Sequence, residues 1–113
     1  MAAQVIERLK RERLLSDERF VENLIAARRR RGYGPLRVRQ ELEKKGIPEE
    51  IIEQWLDPCG CEWIDLLSDV RRRKFGEKQP KNDAERAKQA RFLQNRGFIL
   101  DQIQQVLGGW DIE

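Results

Sequence analysis

Histidine is absent from this 113-residue chain, cysteine occurs only twice and proline four times. No apolar run approaches the ~18 residues that a membrane span requires. Each shortage excludes something. Without histidine, a general base at neutral pH would have to be a carboxylate or a lysine of strongly shifted pKa, and no apolar motif positions one. The acidic residues fall instead in the first turns of helices and on solvated faces. No catalytic residue is assigned, and an enzyme is not expected. Cys59 and Cys61 stand one residue apart, so a structural zinc would lack two of its four ligands. Neither a metal nor a cofactor is expected. The opening Met-Ala-Ala-Gln leads into a charged amphipathic segment, unlike the apolar core of a signal peptide, and the expected location is the cytoplasm.

What the chain has in abundance is charge. Hydrophobic residues make up 39 % and charged residues 38 %, but the apolar positions are periodic, which argues for a fold and against disorder. A chain of this length buries about two-thirds of its unfolded surface, enough for one domain built around a single layered core.

The punctuation predicts seven helices. The first covers Ala2 to Leu15 through Val5, Ile6, Leu9 and Leu14. Ser16 or Asp17 then caps a second, to Arg31, with Phe20, Val21, Leu24, Ile25 and Ala27 as its buried stripe. Gly32 ends it and Pro35 opens the third, which carries Val38 and Leu42 and stops at Gly46. Pro48 opens the fourth, with Ile51, Ile52, Trp55 and Leu56 apolar and Trp55 expected on a stripe shared with the next unit. The fifth, from Cys61 to Phe75, buries Trp63, Leu66, Leu67 and Val70. The sixth spans Asp83 to Arg96, and the seventh, Leu100 to Leu107, repeats the stripe of the fourth. By spacing, Trp63, Phe75 and Phe92 belong to the core, whereas Trp110 either seals the end of the chain or stands free.

A repeat underlies this order. Sliding the chain by 51 residues pairs Leu42 with Leu93, Lys45 with Arg96, Gly46 with Gly97, Ile52 with Ile103 and Leu56 with Leu107. A shift of 43 pairs Phe20 with Trp63, Leu24 with Leu67, Ala27 with Val70 and Arg31 with Lys74. Such repetition implies an all-α fold, tandem three-helix repeats stacked in an elongated, curved array. Residues 1–16 supply the third helix of an incomplete first repeat, 17–58 the second repeat and 59–113 the third, in one continuous domain.

Charge is segregated within the repeat. Residues 28–45 hold eight cations and two carboxylates, residues 46–70 hold seven carboxylates and no cation, and residues 71–96 hold ten cations and three carboxylates. Cations in a last helical turn are favoured by the macrodipole by ~0.3–1 kcal/mol each and need no further role. Recurrence of the run at Arg71-Arg72-Arg73-Lys74 favours an anionic partner. Arg37, Gln40 and Lys44 share one helix face, as do the aligned Lys88, Arg91 and Asn95. The candidate binding residues are therefore Arg28, Arg29, Arg30, Arg31, Tyr33, Arg37, Lys44, Arg71, Arg72, Arg73, Lys74, Lys88 and Arg91. Tyr33 stacks on a base or partner side chain, or packs down as an anchor, the more frequent fate of an aromatic in a short interhelical turn. Gly32-Tyr33-Gly34-Pro35 lacks the spacing and preceding strand of a phosphate-binding loop.

The segments ERFVENLIAARRRRGYGPLRVRQELEKKGI (18–47), RRKFG (72–76) and RFLQNRGF (91–98) resemble the RecX regulatory proteins of bacteria. Jointly they are specific to that family, whereas each alone is weak. The resemblance implies tandem three-helix repeats and a protein without chemistry of its own. It further implies that the partner is the RecA recombinase filament on DNA, whose growth, strand exchange, ATP hydrolysis and repressor cleavage such proteins limit. Family members usually begin with further helices that complete a first repeat, which this sequence does not show. Two other functions fit the same cations: a helical nucleic-acid-binding protein without a recombinase partner, and an adaptor whose arginines pair with acids of another protein.

Overall fold

The structure, a computed structural model, describes residues 2–108. Among these the chain forms six helices and no strand: α1 (Ala2–Arg30), α2 (Pro35–Lys44), α3 (Glu49–Trp55), α4 (Cys61–Phe75), α5 (Asp83–Asn95) and α6 (Leu100–Leu107). Trp110 lies outside the described residues.

The sequence predicts one helix more. Its first two run together as α1, 29 residues long, and Ser16 and Asp17 lie inside that helix and cap nothing. A capping residue starts a helix only where the preceding one stops, and Leu14-Leu15 offer neither glycine nor proline as a stop. Helix formers on both sides let the ladder continue.

The duplication is visible in the hydrogen bonds. At the end of α2, Gly46 N–H donates to the Glu43 carbonyl at 3.0 Å and Ile47 N–H to that of Leu42 at 3.1 Å. At the end of α5, Gly97 N–H donates to Gln94 at 2.9 Å and Phe98 N–H to Leu93 at 3.2 Å. Each donor and acceptor moves by the same 51 residues, with Gly46 and Gly97 at φ 78° and 97°. Both closures end a helix through a left-handed glycine, after which the chain enters the third helix of its repeat.

Two cores follow. Val21, Val38, Leu42, Ile51 and Ile52 from α1–α3 and Leu56 just beyond α3 enclose the first, together with Trp63 of α4. Leu67, Val70, Ala90, Leu93, Phe98, Ile103 and Leu107 form the second, and Leu66 packs against both. One helix, α4, thus sends its first turns into one repeat and its later turns into the other. Gln102 of α6 adds a tie, its Nε2 donating to the Pro58 carbonyl at 3.0 Å.

Several assignments of the apolar stripes change. Trp55 is 38 % exposed, because it is the last residue of α3 and the buried place beyond it goes to Leu56, whose backbone has already turned extended. Phe20 is 37 % exposed at the point where α1 leaves the packed part of the molecule. Phe75 and Phe92 are half-buried and meet edge to face, centroids 5.4 Å apart. Val5, Ile6 and Leu9 are exposed on the projecting first half of α1. With that projection the molecule measures 68 × 29 × 21 Å, and its radius of gyration is 18.1 Å. A compact chain of this length would have about 13 Å.

Candidate functional site

The two repeats meet at their turns. The α1–α2 turn lies against the α5–α6 turn, where Gly34 N–H donates to the Arg96 carbonyl at 2.7 Å and Leu36 N–H to that of Gly97 at 2.9 Å. The cations flanking both turns are thereby brought to one seam. Arg29, Arg30 and Arg31 from the end of α1 face Arg73 and Lys74 from the end of α4, with Arg96 beside them, around a cleft of about 240 Å³. Beyond the turns, Arg37, Gln40 and Lys44 of α2 line a second groove of about 340 Å³ with Gln94 and Asn95 of α5.

The predicted residues have different fates, and Arg28, Arg72, Lys88 and Arg91 line neither of these clefts. Arg28 is bound to Glu41, its Nε and Nη2 donating to the two carboxylate oxygens at 2.8 and 3.0 Å. These bonds hold the Glu41 carboxyl below the usual carboxylate range, against the opposite pull of partial burial, and raise the Arg28 guanidinium further. Arg29 stands over the Trp63 ring, 5.5 Å from its centroid. Tyr33 is half-buried with two guanidiniums over its ring, Arg37 at 4.0 Å and Arg96 at 4.8 Å. The two cations hold the ring at the junction, the placing that the anchor reading expects. Arg72 and Arg73 both reach Asp69, each at 2.9 Å. Lys74 lies over Phe92 at 5.4 Å. Lys44, Lys88 and Arg91 are exposed.

Arg71 does not belong to the surface. It is 5 % exposed, and its guanidinium donates to Gln89 Oε1 at 3.1 Å and to the Lys78 carbonyl at 2.8 Å. Trp63, Leu67 and Arg71 are spaced by four and share the face of α4 that turns inward. A buried cation must be hydrogen-bonded, and here it pins the long α4–α5 connection. Arg96 lines the seam cleft although it is not among the residues predicted from the sequence. The 51-residue alignment with Lys45 carried a signal, since both stand at the closing turn of a middle helix.

Of the acidic segment, Asp69 is taken up by Arg72 and Arg73. Glu49, Glu50 and Glu53 on α3 and Glu62 and Asp65 on α4 are exposed, and only Glu49 has a cation partner among the described residues, Arg39. Among the described residues no helix is long and apolar enough to cross a membrane.

Fold and surface define a tandem three-helix repeat protein with a basic seam and an acidic flank. The family model for the RecX second three-helix domain matches residues 16–56, and that for the RecX third three-helix domain matches residues 61–107. The chain belongs to the RecX family of regulatory proteins. It is similar to the "Regulatory protein RecX" of Pseudomonas fluorescens, 42 % identical over 109 residues that span 96 % of this chain and 70 % of that protein. The protein of the same name from Pseudomonas tolaasii is 42 % identical over 113 residues, all of this chain and 73 % of that one. That of Salmonella newport is 47 % identical over 92 residues, 81 % of this chain and 55 % of that one.

Proposed function

We propose that this protein is a non-enzymatic regulator that binds the RecA recombinase filament on DNA, in the cytoplasm, and restrains its recombinase, ATPase and coprotease activities. Membership of the RecX family supports the class, and one observation supports the mode of action. The cations of two repeats converge on one cleft at the seam, while Glu50 and Glu53 of α3 and Glu62 and Asp65 of α4 are exposed and have no ion-pair partner within 4 Å among the described residues. A surface divided in this way suits a partner that is itself divided, with anionic phosphates in one place and basic protein in another. The 68 Å length lets several such contacts form along a filament at once. Inhibition then follows from occupancy: a protein held along or at the end of the filament opposes the movements and additions on which its activities depend.

Filament binding with and without DNA tests this. The protein is expected to sediment with a RecA–DNA filament and to slow its ATP hydrolysis, with weaker retention on RecA alone. Equal binding to naked DNA and to the filament, with no effect on hydrolysis, would instead favour a nucleic-acid-binding protein without a recombinase partner. Binding that is indifferent to both DNA and salt would favour the adaptor, because phosphate contacts are salt-dependent.

A further inference from the structure

Six cations face the seam cleft, three from the first repeat (Arg29, Arg30, Arg31) and three from the second (Arg73, Lys74, Arg96), and no carboxylate lines it. Among the described residues only Arg73 of the six has an ion-pair partner within 4 Å, namely Asp69. The ends of α1 and α4 contribute about half a negative charge each, which leaves most of this positive charge uncompensated. The floor of the cleft is apolar, formed by residues such as Val70 and Phe92. The Phe92 ring is already engaged by Lys74 at 5.4 Å and Arg96 at 5.5 Å.

We propose that the cleft is a phosphate clamp, which takes a phosphodiester group of a nucleic-acid strand between the two repeats. This rests on the reading that the protein works on a nucleoprotein filament, and it names the part of the surface that meets the strand. Five of the six cations are arginines carried by three separate segments, and guanidinium forks suit the non-bridging oxygens of a phosphate approached from several sides. The volume of about 240 Å³ is below the ~300–1,000 Å³ of a site for a drug-sized ligand. It accommodates a backbone group with its sugar. With the Phe92 ring covered by cations there is no bare aromatic face for a base to stack on, so the contact reads no sequence. Each repeat supplies half of the cations, so the clamp exists only while the Gly34 and Gly97 turns are docked.

The test is anisotropy of a labelled single-stranded thymidine oligonucleotide with the full chain at several salt concentrations, with filament sedimentation on the same preparations. Arg30→Gln and Lys74→Gln, one from each repeat, are compared singly and together with Lys10→Gln/Arg19→Gln on the outer part of α1. The combined clamp variant is expected to lose at least tenfold in affinity, and its salt slope to fall by about 1.4, at ~0.7 per contact on a single strand. Each single variant should lose part of this, and the α1 variant less than threefold. An adenosine oligonucleotide should bind within about threefold of the thymidine one. Circular dichroism melts establish that all variants are folded. The clamp is refuted if the combined variant keeps the wild-type slope and affinity, or if the α1 variant loses as much. A wild-type chain that binds filament but no oligonucleotide overturns the clamp and leaves the regulatory reading standing. Oligonucleotide binding that depends on Arg30 and Lys74, in a chain that ignores the filament, does the reverse.

Discussion

Gly34 packs against Gly97 so closely that a Cβ on Gly34 would lie 2.5 Å from the Gly97 carbonyl carbon and oxygen. The repeats therefore touch through backbone, and neither side has a flexible side chain that can yield. Gly34 itself has an ordinary extended conformation, φ −88° and ψ 175°, so its requirement for glycine is one of space.

Gly34→Ala is accordingly expected to cost about 3 kcal/mol, the upper part of the usual overpacking range, and to loosen the seam. Gly46→Ala is the control: φ is +78° there and nothing stands within 4 Å, so only backbone strain of about 1 kcal/mol applies. Urea melts and small-angle scattering measure both. An unchanged midpoint for Gly34→Ala would mean that the turns are not docked in solution.

Trp55 and Trp63 make the second prediction. Trp63 is 1 % exposed and plugs the core of the preceding repeat, whereas Trp55 is 38 % exposed. Trp63→Ala should cost ~3–5 kcal/mol, and Trp55→Ala less than about 1.5 kcal/mol. Denaturant melts decide, and a larger loss at Trp55 would invert the assignment of faces.

Much of this architecture was legible because the helix ends are written in glycine and proline and the apolar stripes recur at a fixed offset. What escaped had physical reasons. Ser16-Asp17 reads as a cap, yet a cap is conditional on a stop that Leu14-Leu15 do not supply. Trp55 and Leu56 are neighbours on one stripe, and periodicity cannot say which of them the chain covers as it leaves α3. Arg71 sits in a run of four cations whose charge suggests surface, while its spacing from Trp63 and Leu67 places it inside. Of the thirteen candidate binding residues, Arg30 and Arg31 stand exposed as their charge density suggests, but their meeting with Arg73 and Lys74 depends on how the repeats dock.

Arg71→Ala should act on stability more than on binding. It removes a charged hydrogen-bonding group and leaves Gln89, 2 % exposed, without its donor, for a loss of about 2–3 kcal/mol. Amide exchange in the α4–α5 connection should rise with it. A variant of full stability would show that Lys78 and Gln89 are held by something else.

The Arg28–Glu41 pair predicts a pH dependence. The folded carboxyl titrates below its unfolded value of about 4.3, so the pair contributes stability above that pH and loses it as the pH falls through the lower, folded pKa. Arg28 stays charged throughout. Glu41→Gln should therefore lower the denaturation midpoint at pH 7 and matter less and less as the pH falls through the folded pKa. A difference that persists in acid would assign the effect to packing.

The last prediction joins charge to regulation. Arg30, Lys44, Lys88 and Arg91 are exposed, two in each repeat, and none has an ion-pair partner within 4 Å among the described residues. Arg28 and Arg37 are left in place, because reversing the first would unpair Glu41 and reversing the second would take a cation from Tyr33 at the junction. Changing the four to Glu should leave the helical content and melting point nearly intact. Charge-assisted contacts contribute about 1.5–3 kcal/mol each, and 1.4 kcal/mol is tenfold in affinity. Filament binding, and with it inhibition of ATP hydrolysis, should thus fall well beyond tenfold when several contacts become repulsive. Neutralising Glu50, Glu53 and Asp65 to Gln, Gln and Asn should weaken binding by a smaller factor if the acidic flank meets basic protein. A folded four-charge variant that inhibits at wild-type concentration would take the exposed cations out of the mechanism and leave the acidic flank as the contact surface.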